Sequence, residues 1–198
     1  MACSGGSGAD QGAANAAVQA ALKTCAAFFG EDNVATVRSG LGEIDVASRS
    51  VDSTKDELLK DARAWRAESD DLKRTSYRPC QLRDVRQSEG NLAGTVKWSQ
   101  FTMEFVSKGA DASEWHKASD GVYVKEQSLV DGRAVVMVCT VPGTAPGQGK
   151  QLPLEVRLRA EGLDDDGGGL SGRLLASLAR NTRSLVGCQE TLAIPDTL

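Results

Sequence analysis

A single histidine, His116, stands in this chain of 198 residues, and that scarcity removes several chemistries at once. Imidazole-rich metal sites need more than one such ligand, and a Ser-His-Asp triad would have to be built around this one residue. No Gly-x-Ser-x-Gly elbow is present to supply its nucleophile. His116, within Ser113-Glu114-Trp115-His116-Lys117, therefore reads as a loop histidine beside a tryptophan, and no catalytic residue is assigned. Basic residues do not dominate either: 23 Lys and Arg stand against 27 Asp and Glu, a formal net charge of −4, with the two signs interleaved. Nucleic acid is not an expected partner, because its backbone is gripped by clustered cations. No apolar run comes near the roughly 18 residues that a membrane-crossing helix needs.

Two further motifs fail on inspection. Asp164-Asp165-Asp166-Gly167, inside the stretch from Gly162 to Gly169, begins like a calcium loop, but the acidic ligand required eleven positions after the first is Leu175. No Gly-Lys-Ser or Gly-Lys-Thr follows the glycines to make a phosphate loop. The stretch reads as a solvated acidic turn, and neither a metal nor a cofactor is expected. A carboxylate pair could hydrolyse a glycoside, and 27 acidic residues offer many pairs. Asp56, Glu57, Asp61, Glu68, Asp70 and Asp71, however, look like a hydrated helix face and its connector.

What is present is organised around Gly121 to Val141. Two β-rich runs meet at Asp131-Gly132, a strong hairpin signal, and the second, Ala134 to Val141, is apolar or nearly so at every position. Such a run marks a central strand covered on both faces. Upstream, Met1 to Gln11 reads as a disordered tether. Ala13 to Phe29 reads as a helix with Val18, Leu22, Cys25 and Phe29 on one face and Gly30 as its stop. Asn33 to Gly42 reads as a loop and Glu43 to Ser48 as a short strand. Thr54 and Glu57 form a capping box for a helix carrying Leu58, Ala62 and Trp65 and ending near Glu68. Tyr77 to Val85 reads as a strand that Pro79 places at an edge, or that starts after the proline.

Gly94 to Ser107 is the next β region. Val96 and Trp98 share one parity and Phe101, Met103 and Phe105 the other, which calls for a bulge near Ser99-Gln100 or for cover on both faces. Lys108 to Asp120 reads as a polar connection and Pro142 to Gln151 as a turn or exposed loop. Leu154 to Ala160 alternates, with Leu154, Val156, Leu158 and Ala160 inward and the opposite side toward water. Ser171 caps a last helix bearing Leu174, Leu178 and Leu185. The fold expected is α+β, an antiparallel sheet of about four to six strands with the N- and C-terminal helices packed on one face. Residues 1–11 form the tether and 12–198 a single domain.

Of the five cysteines, Cys25, Cys80, Cys139 and Cys188 are spread through the domain and Cys3 stands apart at the start. No CxxC spacing occurs, so the four read as two disulfides formed in an oxidising compartment. Three pairings are possible. Cys25 with Cys80 and Cys139 with Cys188 is preferred, because each bridge would pin one helix to the sheet.

Ala2-Cys3-Ser4-Gly5-Gly6-Ser7-Gly8 resembles the processed end of a bacterial lipoprotein, cut just before a cysteine that carries a diacylglyceryl group. Met1 would stand where the removed signal was. The abundance of Ala, Gly, Arg and Asp is similar to that of proteins from GC-rich bacteria such as actinomycetes. The resemblance implies lipidation at Cys3, a place at the outer face of the cell membrane, and membrane contact through the anchor only. Aromatic residues make up only 5% of the chain, and Trp98, Phe101, Trp115 and Tyr123 gather around the β region as candidate stacking surface. The function expected is that of a cell-envelope lipoprotein that binds a protein partner or a small ligand, in an accessory or sensing role without catalysis. The alternatives are a secreted carboxylate-dependent hydrolase, which would show convergent carboxylates in a deep pocket, and a surface-blocking inhibitor or immunity-type protein.

Overall fold

A computed structural model describes residues 7–69, 72–86, 91–109, 114–128, 132–163 and 169–198, with side chains from Ala14 onward, residues 127 and 128 excepted. The chain folds as α1 (Ser7–Phe29), α2 (Glu31–Gly40), β1 (Ile44–Ser48), α3 (Val51–Ala64), β2 (Tyr77–Asp84), β3 (Asn91–Trp98), α4 (Met103–Lys108), β4 (Trp115–Ser119), β5 (Val122–Ser128), β6 (Gly132–Met137), α5 (Gln148–Gln151), β7 (Leu154–Glu161) and α6 (Gly169–Val186). One seven-stranded antiparallel sheet in the order β1-β2-β3-β7-β6-β5-β4 makes this an α+β architecture with more strands than the sequence reading allows for. β6 lies between β5 and β7, and Ala134 to Met137 are all buried, as its apolar run requires.

Several expectations are corrected. The stretch read as a polar connection contains β4, joined to β5 through Asp120-Gly121, where Gly121 has φ of +75°. A positive φ is what glycine supplies at such a turn. The Asn33 to Gly42 stretch is helical as far as Gly40 and not a loop. Val34 and Val37 are buried, and the Asn33 amide donates to the Phe29 carbonyl and to Ser177 Oγ. α1 runs back to Ser7, into the segment read as tether, and Ala14 to Ala20 are exposed at every position. α3 starts a turn earlier than Thr54: the Ser50 hydroxyl accepts from the Ser53 amide at 3.1 Å, and the buried Thr54 hydroxyl donates back to the Ser50 carbonyl.

β2 is not an edge strand, since it pairs with both β1 and β3. Pro79 is tolerated there because the β2–β3 register slips between Tyr77 and Cys80, and its carbonyl still accepts from the Arg49 amide. The parity conflict after Gly94 disappears because the strand ends at Trp98. Thr102 then caps α4, accepting from the Phe105 amide at 3.1 Å, and Phe105 and Met103 are helical.

α1, α2, α3 and α6 cover one side of the sheet and close the main core. α1 is fastened to it at one cross-strand pair, Cys80 with Gly94. Cys25 is bonded to Cys80, and one turn later the fully buried Phe29 lies where a side chain at Gly94 would stand. The second disulfide joins Cys139, just past β6, to Cys188, just past α6. Both bridges match the preferred pairing.

The chain beyond α6 is held to the same region. The Gln189 amide donates to the Thr140 carbonyl, and Glu190 accepts from the Thr140 amide at 2.9 Å and from its hydroxyl at 2.5 Å. Burial alone would raise the Glu190 carboxyl, but these hydrogen bonds outweigh it and hold the group below the ordinary glutamate value. The resulting stability is present above the unfolded-state value and lost as pH falls through the lowered one. Glu190→Gln is therefore expected to cost about 1 kcal/mol at pH 7, the group being partly exposed. Urea unfolding of both proteins across the acid range checks it, with the deficit closing below about pH 4.

Candidate binding face

Alternate residues of a strand share a face, so the register assigns rows across the sheet. One row is Lys117, Tyr123, Val136, Glu155 and Lys97, on β4, β5, β6, β7 and β3 in turn. The next row on that face is Trp115, Lys125, Ala134, Arg157 and Thr95. Both rows lie on the back face, away from the main core.

Topology explains what covers it. The connection from β3 to β4 must pass over β7, β6 and β5, about 19 Å at ordinary strand spacing, and α4 rides on that crossing. Met103 and Val106 of α4 close on Trp115, Ala134 and Val136 as a second, smaller core. Phe101, Tyr123 and Val138 lie half-buried at its margin. Phe101 and Phe105 stack with ring centroids 4.9 Å apart, and the Lys125 ammonium sits 6.0 Å from the centre of the Trp115 ring.

Beside Val136 in the row, Glu155 is fully buried. The Lys97 ammonium lies 3.4 Å from Glu155 Oε1, and Arg157 Nε donates to that same oxygen. Glu155 Oε2, equally buried, has no protein partner. The expectation that this side of β7 faces water is thus corrected: it holds for the exposed Arg159 and fails at Glu155.

Of the four aromatic residues singled out from sequence, the structure brings together Phe101, Trp115 and Tyr123. Trp98 is a correction: it is buried in the main core on the opposite face, its indole N–H donating to the Leu58 carbonyl at 2.8 Å. Phe105 and Glu155 were missed, one because it was assigned to a strand and the other because alternation pointed it outward. His116 is exposed on the edge strand β4. Cys3 and Asp164 to Asp166 lie outside the described residues. Among the described residues no grouping of His, Cys, Asp and Glu is set to hold a metal, and no helix is long and apolar enough to cross a membrane.

One titratable cluster lies elsewhere. The Tyr77 hydroxyl donates to Asp61 Oδ2 at 2.8 Å under the Arg49 guanidinium, which stands 5.2 Å from the centre of the Tyr77 ring. Burial, then the bond to Asp61, pushes the Tyr77 hydroxyl up to about 12. Burial also raises Asp61, against the lowering effect of that bond. The two groups satisfy each other and tie α3 to β2. A hollow of about 240 Å³ between α1, α3 and α6 is lined by Ala27, Phe28, Val51, Asn181, Ser184 and Leu185, none of them ionisable. Comparison with protein-family models, with curated proteins and with solved structures finds no match for this chain.

Proposed function

We propose that this protein is an extracytoplasmic, lipid-anchored module that binds a protein partner through the back face of its sheet, in an accessory or sensing role without catalysis. The observation that carries the reading is the meeting of Phe101, Phe105, Trp115 and Tyr123 over β4–β6, in a chain so poor in aromatic residues. Phe101, Phe105 and Tyr123 are half-buried and Trp115 is buried among them; half-buried rings offer large contact area at little cost in side-chain freedom, which is how protein interfaces are anchored. Two disulfides accord with an oxidising environment. Ala2-Cys3 in its lipoprotein-like context supports the anchor. The hydrolase alternative gains nothing from the hollow between the helices, which has no acid or base in its lining.

The test places a photo-crosslinking benzoylphenylalanine at position 105 in the full chain, expressed in its native cells, with the exposed Lys60 of α3 as the comparison position. A discrete protein adduct from position 105 and none from position 60 is the expected outcome. Identical adducts from both positions, or none from position 105, would remove the back face as the binding surface.

A further inference from the structure

The two cores on either side of the sheet are unequal in how they are held. The main core is closed by α1, α2, α3 and α6 and tied by both disulfides, whereas the small one is closed by six helical residues and their flanks. α4 contributes only Met103 and Val106 as buried side chains, and it packs on β4, β6 and α5. Next to Val136 in the same row lies a fully buried carboxylate, Glu155, with one oxygen unpartnered. An unmet buried acceptor weakens the closed arrangement relative to one in which water or a ligand reaches it. The main core and the residues that α4 covers lie on opposite faces of the sheet.

From this packing we infer that α4 and its flanks, residues 100–109, form a cap that opens independently of the main core, with Ser99, fully buried and bonded to Pro153, as its fixed end. Opening uncovers Trp115, Ala134 and Val136, the buried residues on which Met103 and Val106 close. The purpose of the cap rests on the proposed binding role of this face; its opening does not, and it is measured without any partner.

The test uses the full chain with Cys3→Ser, so that an added cysteine is the one free thiol. Val136→Cys and Val156→Cys put that thiol at fully buried positions on neighbouring strands, the first under the cap and the second in the main core. Val136→Cys is expected to react with a thiol reagent at least about 100-fold faster under native conditions, as sub-global opening requires. Hydrogen exchange on the chain with no substitution guards against a misfolded variant. The Val106 and Gly109 amides, bonded to the Thr102 and Phe105 carbonyls, should then exchange far faster than amides of β6 and β7. Equal labelling at the two cysteines together with equal protection would overturn the cap. A labelled cap without a cross-linked partner would leave the opening intact and remove the binding role alone.

Discussion

Loss of the Cys25–Cys80 bridge, by Cys25→Ser with Cys80→Ser, is expected to lower the unfolding free energy by about 4 kcal/mol. The bonded residues are 55 apart in sequence, and closing so long a loop restricts the unfolded chain by roughly that amount in the chain-entropy model. That is a large part of the 5–15 kcal/mol typical of a domain. The bridge also fastens α1 covalently to β2, so its removal should loosen the helix first. Denaturant unfolding of the variant beside the parent measures the loss; a change under about 1 kcal/mol would mean that packing alone seats α1. The Cys139–Cys188 bridge closes 49 residues and belongs to the same range.

Phe29→Ala should be nearly as costly, at about 3–5 kcal/mol, because it empties a fully buried ring site. The reason for the ring being there is Gly94. A Cβ at that position would lie 2.7 Å from Phe29 Cζ and 3.4 Å from Leu178 Cδ2, so β3 must present no side chain for α1 and α6 to approach. Gly94→Ala is accordingly expected to destabilise by about 1–3 kcal/mol through overpacking. Combined with Phe29→Leu, which withdraws the ring, it should lose less than the sum of the single changes. A double-mutant cycle reads the coupling, and strict additivity would show that the two residues do not share this space.

The disulfide framework was legible because cysteine spacing and the helical face of Leu22, Cys25 and Phe29 are local signals that agree with the tertiary contact. The central strand was legible for the same reason, as its apolar run has no other place to go. The hairpin at Asp120-Gly121 carried the same dipeptide signal as the one read at Asp131-Gly132, yet its first strand, Trp115 to Ser119, is short and polar at its edge. α4 was hidden by an ambiguity of period. Phe101, Met103 and Phe105 alternate as in a strand, while Phe101 and Phe105 are also one helical turn apart. Thr102 and Gly109 at its two ends were the signals that could have decided it.

α2 was hidden because Asn33 finds its partners in Phe29 and in the distant Ser177, and no window of sequence contains that second bond. Glu155 is the clearest limit. Strict alternation along β7 sends it toward solvent, yet it is fully buried between Lys97 and Arg157 on the face that the β3–β4 connection shares. The candidate face was thus half visible, as a group of aromatic residues, and half created by topology.

The most direct test is the intact mass of the protein recovered from its native cells, taken with and without reduction and thiol labelling. A diacylglyceryl-sized excess on Cys3, with Cys25, Cys80, Cys139 and Cys188 labelled only after reduction, is the expected result. An unmodified Cys3 beside four freely labelled thiols would contradict both the anchor and the oxidising compartment, and with them the placement of this domain outside the membrane.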